Sequence, residues 1–386
     1  IGSWCGKKFR QEKVAARPGW QEVHGILKHE VGENKKLTFE LPIPTHKEAI
    51  ELVLRILTND ETKVIDSIKE IQAIGHRIVH GGEFFKESTL VNKDVIEKIE
   101  QLIPLAPLHN PANILGIKIC QELMPNVPNV AVFDTAFHQT MPDYAYMYAL
   151  PKDMYTKHGI RKYGFHGTSH FFVSNEARGM LDKRHNTRVI VCHLGNGSSV
   201  SAVLNGKCID TSMGLTPVQG LMMGTRCGDV GAGAVSYMMK QEGLDIDQIM
   251  DIMNKKSGIL GISGKSSDLR EVLQGMQDGD DDCRLAVDMV AYNIKKYVGA
   301  YVAALDGVDA LCFTGGIGEN AALIREKVCA GLDSMGLVID PVKNNKRSSK
   351  ARDIATNGSA SRIFVIPTNE EFVIANDTYK IVSELK

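Results

Sequence analysis

Residues 188–211 read RVIVCHLGNGSSVSAVLNGKCIDT. Val189 to Cys192 has the apolar, β-branched composition of a buried strand. Gly195-Asn196-Gly197 is a tight turn, and Ser198 to Leu204 carries the chain back as a second strand. Asn205-Gly206 is a strong two-residue hairpin signal into a third. The run is an antiparallel meander feeding a helical region, not a βαβ unit.

On either side, strands and helices alternate, which marks an α/β protein. Thr45-His46-Lys47-Glu48 is a capping box, followed by Ile50, Val53, Leu54 and Leu57 at helical spacing. Ile74 to Val79 is a strand that runs into Gly81-Gly82. Asn129 to Phe133 (NVAVF) stops at Asp134, which puts a carboxylate at a strand's C-terminal end, where open α/β sheets hold ligands. Arg284 to Leu305 reads as a long helix with Val287, Val290, Ile294, Val298, Tyr301 and Leu305 on one stripe. Ala310 to Phe313 reads as a strand, Gly315-Gly316-Ile317-Gly318 as a loop, and Glu319 to Leu332 as a helix. Arg362 to Ile366 is the last strand, ahead of Pro367-Thr368-Asn369-Glu370-Glu371. No low-complexity linker or short-period repeat interrupts the chain.

The 386 residues carry a formal charge of −1, with 43% hydrophobic and 24% charged residues. That length suggests two or three domains, and the composition excludes a mostly disordered chain. A near-neutral balance argues against nucleic acid or an anionic membrane as the main partner, because both need a basic face. No apolar run approaches the roughly 18 residues of a membrane span. The 8 cysteines are scattered without a C-x-x-C pair, the pattern of free thiols in a reducing cytoplasm. The first twenty residues hold both tryptophans, Trp4 and Trp20, and are basic with a single Glu. An organellar transit segment and a chain end foreign to the fold both remain open there.

The 36 glycines gather in turns after strands, where a backbone without Cβ can aim several N–H groups at a phosphate. Gly195 to Ser199 and Gly315 to Asn320 both fit. A P-loop is excluded, because Ile259 stands where Gly264-Lys265-Ser266 requires a glycine; Ala321 likewise spoils a dinucleotide fingerprint after Gly316 and Gly318. Nine of the 12 histidines lie between positions 76 and 193, many beside glycine, where a ring fills a core poorly. His166 and His170 stand four apart but lack the carboxylate of a zinc motif. Arg77 and Arg226 are candidate anion clamps, since a guanidinium fork matches carboxylate and phosphoryl oxygens. For Arg226, a salt bridge to Asp229 is the competing reading.

Seven segments together resemble the acetate kinase family, with propionate kinases as close relatives. They are Gly75 to Gly82, Ala106 to Pro111, Val132 to Gln139, Tyr163 to His170, His193 to Ser199, Gly224 to Arg226 and Pro367 to Glu371, and the match runs in order from about Leu37. The resemblance implies two duplicated α/β lobes of the actin, sugar kinase and heat-shock ATPase type around a central cleft. Residues 1–135 with 371–386 would form the N-terminal lobe, and 136–370 the C-terminal lobe carrying the nucleotide-binding elements. It further implies reversible ATP-dependent phosphorylation of acetate, a homodimer in the cytoplasm, and Mg2+ as the metal with Mn2+ as the alternative.

At matching positions, Arg77 would bind the substrate carboxylate and the moving phosphoryl group. His166 and Arg226 would stabilise the transition state, with His109 nearby. Asp134 matches the family's catalytic carboxylate and Glu370 its magnesium ligand. His193, Leu194, Gly195, Asn196 and Gly197 would cradle the phosphates. Asp268, Leu269 and Arg270, with Gly316, Ile317, Gly318, Glu319 and Asn320, would hold the nucleoside. Val79, Leu108, Phe165 and Pro217 would surround the methyl group.

An acetate carboxylate is already ionised at pH 7, so its attack on ATP needs no general base. The difficulty is to bring one anion to another, and two arginines, a histidine and a divalent cation supply the opposing charge. Asp134 is then an orienter of magnesium-bound water or of an arginine rather than a proton acceptor. Residues 1–30 depart from the family: they lack its opening strand and the glycine/serine turn that supplies an asparagine metal ligand. The resemblance resumes near Lys35. The expectation is an exposed sheet edge, a half-built phosphate site and weak or no activity. The alternative class is a non-catalytic nucleotide-binding remnant.

Overall fold

The computed structural model describes residues 2–5, 8–11, 13–16, 24–31, 35–43, 45–181 and 185–385. Trp20, and the side chains of Trp4 and Cys5, lie outside that description. The chain divides into two units, 1–136 with 369–386, and 137–368.

Among the described residues the first unit holds eight strands: β1 (Gly2–Cys5), β2 (Lys8–Gln11), β3 (Lys13–Ala16), β4 (His24–Val31), β5 (Lys35–Pro42), β6 (Ile74–Ile78), β7 (Thr89–Leu90) and β8 (Asn129–Phe133). They form a sheet of order β2-β1-β6-β8-β7 and a separate meander β3-β4-β5. β6 and β8 are parallel, with Arg77 opposite Val132 and Ile78 opposite Phe133. The exposed edge expected beside β6 is not there. β1 pairs antiparallel with it, Gly2 opposite Gly75. The capping box at Thr45 opens the helix His46–Thr58, whose Ile50, Val53 and Leu57 are buried. The helix Asn110–Leu123 serves two cores. Ile114 and Ile117 pack with Ile78, Ala131 and Phe133, whereas Ile119 and Cys120 pack with the first helix.

The second unit carries β9 (Arg188–Leu194), β10 (Ser198–Leu204), β11 (Lys207–Thr211), β12 (Ala310–Thr314), β13 (Arg352–Asp353) and β14 (Arg362–Val365), in the order β11-β10-β9-β12-β14-β13. The predicted meander forms as β9-β10-β11, antiparallel throughout, and β12 is parallel to both β9 and β14. Alternate residues of β9 face opposite layers. Ile190, Cys192 and Leu194 pack against Val287, Val290 and Ile294, while Val189 and Val191 meet Val173 and Ala177. The long helix spans Asp281–Ala304, three residues earlier than its apolar stripe implied, because the Asp280 side chain caps it.

One element differs in kind. Gly315–Asn320 is a helix, not a loop, and the chain breaks at Ala321 before the next helix, Ala322–Cys329. Three glycines disfavour a helix intrinsically, but tertiary bonds override them. The Glu319 carboxylate accepts from the Gly315 N–H at 3.1 Å, and Arg325 Nη1 donates to the Gly318 and Glu319 carbonyls at 2.8 and 3.0 Å.

Candidate active site

In the first unit, β6 and β8 end side by side, and the Asp134 N–H donates to the Ile78 carbonyl at 2.9 Å. Arg77 therefore meets Asp134 through a two-pronged fork, Nε to Oδ1 at 2.9 Å and Nη2 to Oδ2 at 2.7 Å. The Asp134 side chain is 2% exposed and that of Arg77 44%, so one edge of the guanidinium is buried by its partner while another stays open. The adjacent Asp134 carboxylate raises the Arg77 pKa above its ordinary value. Glu370 Oε2 lies 3.9 Å from Arg77 Nη2, at the start of the helix Glu370–Ser383, which Asn369 caps. That helix sits directly on β6: a Cβ at Gly75 would come within 2.5 Å of Thr378 Oγ1, so only glycine allows the approach.

The loop after β6 is pinned by two side-chain amides and a hydroxyl. The Val79 N–H donates to Asn113 Oδ1 at 3.1 Å, the His80 N–H to Asn110 Oδ1 at 3.3 Å, and the Gly81 N–H to Thr135 Oγ1 at 3.0 Å. His109 is the N-cap of the helix carrying both asparagines, and Leu108 before it is 67% exposed.

The second unit assembles a different set, again at the C-terminal ends of parallel strands: His193 on β9, Gly315 after β12 and Thr368 beyond β14. Ser169 Oγ lies 2.7 Å from His193 Nδ1 and 2.8 Å from Thr368 Oγ1. Ser199, opposite His193 on β10, lies 2.8 Å from both His166 Nδ1 and His170 Nε2. The His166 and His193 rings stack at 4.3 Å. His166 holds a left-handed backbone (φ 57°) at the N-cap of the helix Gly167–Met180, an uncommon state for a non-glycine residue and one that gathers at functional sites.

His166 and Arg226 converge on Gly197. A Cβ there would stand 3.4 Å from His166 Nε2 and 3.6 Å from Arg226 Nη1. The Gly195 N–H is turned inward, donating to the Gly197 carbonyl at 3.1 Å. Burial lowers the Arg226 pKa. Among the described residues the alternative Arg226–Asp229 salt bridge does not form. Asp229 instead accepts from the Gly220 N–H at 3.0 Å and the Tyr297 hydroxyl at 2.5 Å.

A sequence model described as the acetokinase family matches residues 17–376. The chain belongs to the acetokinase family. It is 53% identical over 352 residues to the acetate kinase of Agathobacter rectalis, spanning 91% of this chain and 88% of that one. Among solved structures it resembles Porphyromonas gingivalis acetate kinase, with TM-score 0.88, 48% identity, and 94% and 90% of the two chains covered. A propionate kinase from Francisella tularensis gives TM-score 0.88 at 42% identity, covering 97% of each chain. The acetokinase match begins at residue 17, so the family pattern extends upstream of the Lys35 boundary drawn from motifs alone.

Other acetokinase positions fall as follows. Phe165 is buried, and its carbonyl accepts from His138 Nε2 at 2.8 Å. Pro217 sits half-buried in a turn. Asp268 caps the helix Leu269–Gln277 and pairs with Arg270 at 2.5 Å. The Leu269 side chain belongs to the core, which leaves its backbone for any ligand. In Gly315–Asn320, Gly316 and Asn320 face solvent while Gly318 is buried, and burial raises the Glu319 pKa.

Sequence reasoning missed Arg325, which is 1% exposed and bonded to Asn344 through Nε and Nη2 at 2.7 and 2.8 Å. Burial lowers its pKa to about 10. Ser169, Ser199 and Thr368 stood inside the motif segments without roles of their own, since serine and threonine in a strand or a first helical turn give no local signal. The seven described cysteines are all free thiols. No described helix is long and apolar enough to cross a membrane.

Proposed function

We propose that this chain moves the γ-phosphoryl group of ATP directly, in line, onto the carboxylate of acetate, giving acetyl phosphate and ADP, and that the reaction runs in both directions. The observation that carries the reading is the Arg77–Asp134 fork. A buried carboxylate holds one edge of the guanidinium, and the open edge suits a second, exchangeable anion. Acetate is ionised at neutral pH, so no group needs to take a proton from it. Asp134 therefore orients Arg77. Arg77 holds the carboxylate, Arg226 neutralises charge that spreads over the equatorial phosphoryl oxygens, and His166 donates a hydrogen bond to them. His109 supports them. The turn His193 to Gly197 takes phosphate oxygens, while Asp268 to Arg270 and Gly316 to Asn320 hold the nucleoside.

Among the described residues no group of three or more His, Cys, Asp or Glu could cage a metal. The Glu370 carboxylate, a hard oxygen donor, fits Mg2+ or Mn2+ held by one carboxylate and by substrate phosphates, the habit of magnesium in kinases. Glu370 would hold the ion, which when bound neutralises phosphate charge. Val79 and Leu108, with Phe165 and Pro217, read the substrate's chain length. A homodimer in the cytoplasm completes the reading, and a monomer in sedimentation at micromolar concentration would refute the dimer.

The test is trapping of acetyl phosphate as its hydroxamate from acetate, ATP and Mg2+, with propionate and butyrate compared by kcat/KM. Asp134→Asn should lower kcat/KM about 100-fold, by loosening a group that must be held in place. Near-wild-type turnover with unchanged magnesium dependence would sink the role given to Asp134. Nucleotide binding without hydroxamate would favour the non-catalytic remnant.

A further inference from the structure

We propose that His170 is a positioning residue for phosphoryl transfer, acting through the Ser199 hydroxyl to hold His166 with Nδ1 as an acceptor and its Nε2–H towards the Gly197 turn. The inference rests on the reading of His166 as a transition-state stabiliser.

Proton counting carries the argument. Ser199 Oγ is 2.8 Å from His166 Nδ1 and 2.8 Å from His170 Nε2, yet it has one proton and can donate to only one ring. His170 is fully buried, and its Nδ1 lies 2.7 Å from the Ser201 hydroxyl. Its ring neighbours are His138 at 5.6 Å, His193 at 6.3 Å and His166 at 6.4 Å. Burial first, then His138 and His193, push its pKa well below the ordinary value, so the ring is neutral and has a single N–H.

With that N–H on Nε2, every bond in the chain is made. His170 donates to Ser199, Ser199 donates to His166 Nδ1, and Ser201 donates to His170 Nδ1. A neutral His166 then carries its own proton on Nε2, the atom beside Gly197. Reversing the chain places a proton on His166 Nδ1. A neutral His166 would then turn a lone pair towards phosphoryl oxygens and repel them. Arg226 Nη1 approaches the same turn, and His193 is stacked on the ring at 4.3 Å. On the far side of His170, His138 is tied to the Cys208 thiol at 3.1 Å. No carboxylate appears among these bonds to draw a second proton into the chain.

The experiment compares two amides at position 170 in the full chain. Asn reaches only towards Ser201, whereas Gln can place its amide N–H where Nε2 was and still donate to Ser199. His170→Asn should lower kcat about 30-fold, keep KM for acetate and ATP within about threefold, and move the acid limb of the kcat–pH profile to higher pH. The limb moves because Ser199 can then accept a proton from His166. His170→Gln should recover most of the rate and return the limb. Equal losses in both variants, or an unmoved limb, would overturn the proposal. Should His170→Asn fail to fold, histidine 15N shifts of the wild-type protein decide it. Protonated Nε2 with bare Nδ1 at His166 supports the proposal, and the reverse overturns it. His166→Ala separates the underlying reading: wild-type kcat in that variant would remove the role of His166 itself.

Discussion

The two units place their candidate groups at the same kind of position, the C-terminal ends of parallel strands, but they hold them in different ways. The first unit uses permanent charge, a guanidinium gripped by a buried carboxylate. The second adds to its own arginine, Arg226, a network of rings and hydroxyls, His166, His170, His193, Ser169, Ser199 and Thr368, joined by bonds of 2.7–2.8 Å. The difference matches what each would meet. An acetate carboxylate arrives charged, so fixed positive charge suits it. The charge on a phosphoryl group redistributes during transfer, and preorganised donors answer that without reorganising.

The sharpest way to break this contrast is at Arg77. Arg77→Ala should reduce kcat/KM at least about 1,000-fold, the scale on which a single arginine acts in phosphoryl transfer. Arg77→Lys keeps the charge but loses the fork, and should recover no more than about tenfold of that loss. Steady-state kinetics with acetate varied reads both. Lysine at wild-type rates would mean that charge alone matters in the first unit.

Arg325 offers the converse test, an arginine of the second unit that holds structure. It donates to the carbonyls of Gly318, Glu319 and Asn344 and to the Asn344 side chain, with no carboxylate partner among these bonds. Arg325→Met should cost about 2–4 kcal/mol in urea unfolding, because several buried carbonyls lose their donor. It should also raise KM for ATP more than KM for acetate. Unchanged stability would show that the Gly315–Asn320 helix stands without its clamp.

The neutral set predicts an acid sensitivity. The folded-state pKa of His170 lies well below its ordinary value of 6.5 through burial. Below about pH 6.5 the unfolded chain binds a proton that the folded chain refuses. Stability is therefore full above that pH and falls as the pH falls, by up to about 1.4 kcal/mol per pH unit for one ring. Melting temperatures between pH 5 and 8 should decline towards acid, and His170→Gln should flatten the slope. An equal slope in the variant would assign the sensitivity elsewhere.

What was legible in the sequence was local. The capping box at Thr45, the NVAVF strand ending at Asp134, and the Asn205-Gly206 hairpin each fix a short stretch through a nearest-neighbour rule, and the structure keeps all three. The helix at Gly315 was illegible because its stabilising partner, Arg325, lies beyond the break at Ala321, while its glycines argue against a helix. The Ser199 junction was illegible for a related reason. A serine on a strand looks the same whether it faces solvent or two imidazoles, and only the packing of Gly167–Met180 over β9 decides which. Family motifs supplied roles for His166 and Arg226, but contained Ser169, Ser199 and Thr368 without giving them any.

The smallest effect we expect is at Leu108, where stability and specificity should separate. At 67% exposure the side chain contributes little to the fold of the first unit, so Leu108→Ala should leave the unfolding free energy within about 0.5 kcal/mol. If Leu108 borders the substrate methyl group, its removal leaves room for one more methylene. A methylene in an apolar pocket is worth about 1–3 kcal/mol, or 10–200-fold, and an exposed position belongs at the low end. The propionate-to-acetate ratio of kcat/KM should therefore rise about tenfold, chiefly through KM for propionate. A ratio that stays fixed while the protein remains as stable as wild type would remove Leu108 from the specificity set and leave chain-length reading to Val79, Phe165 and Pro217.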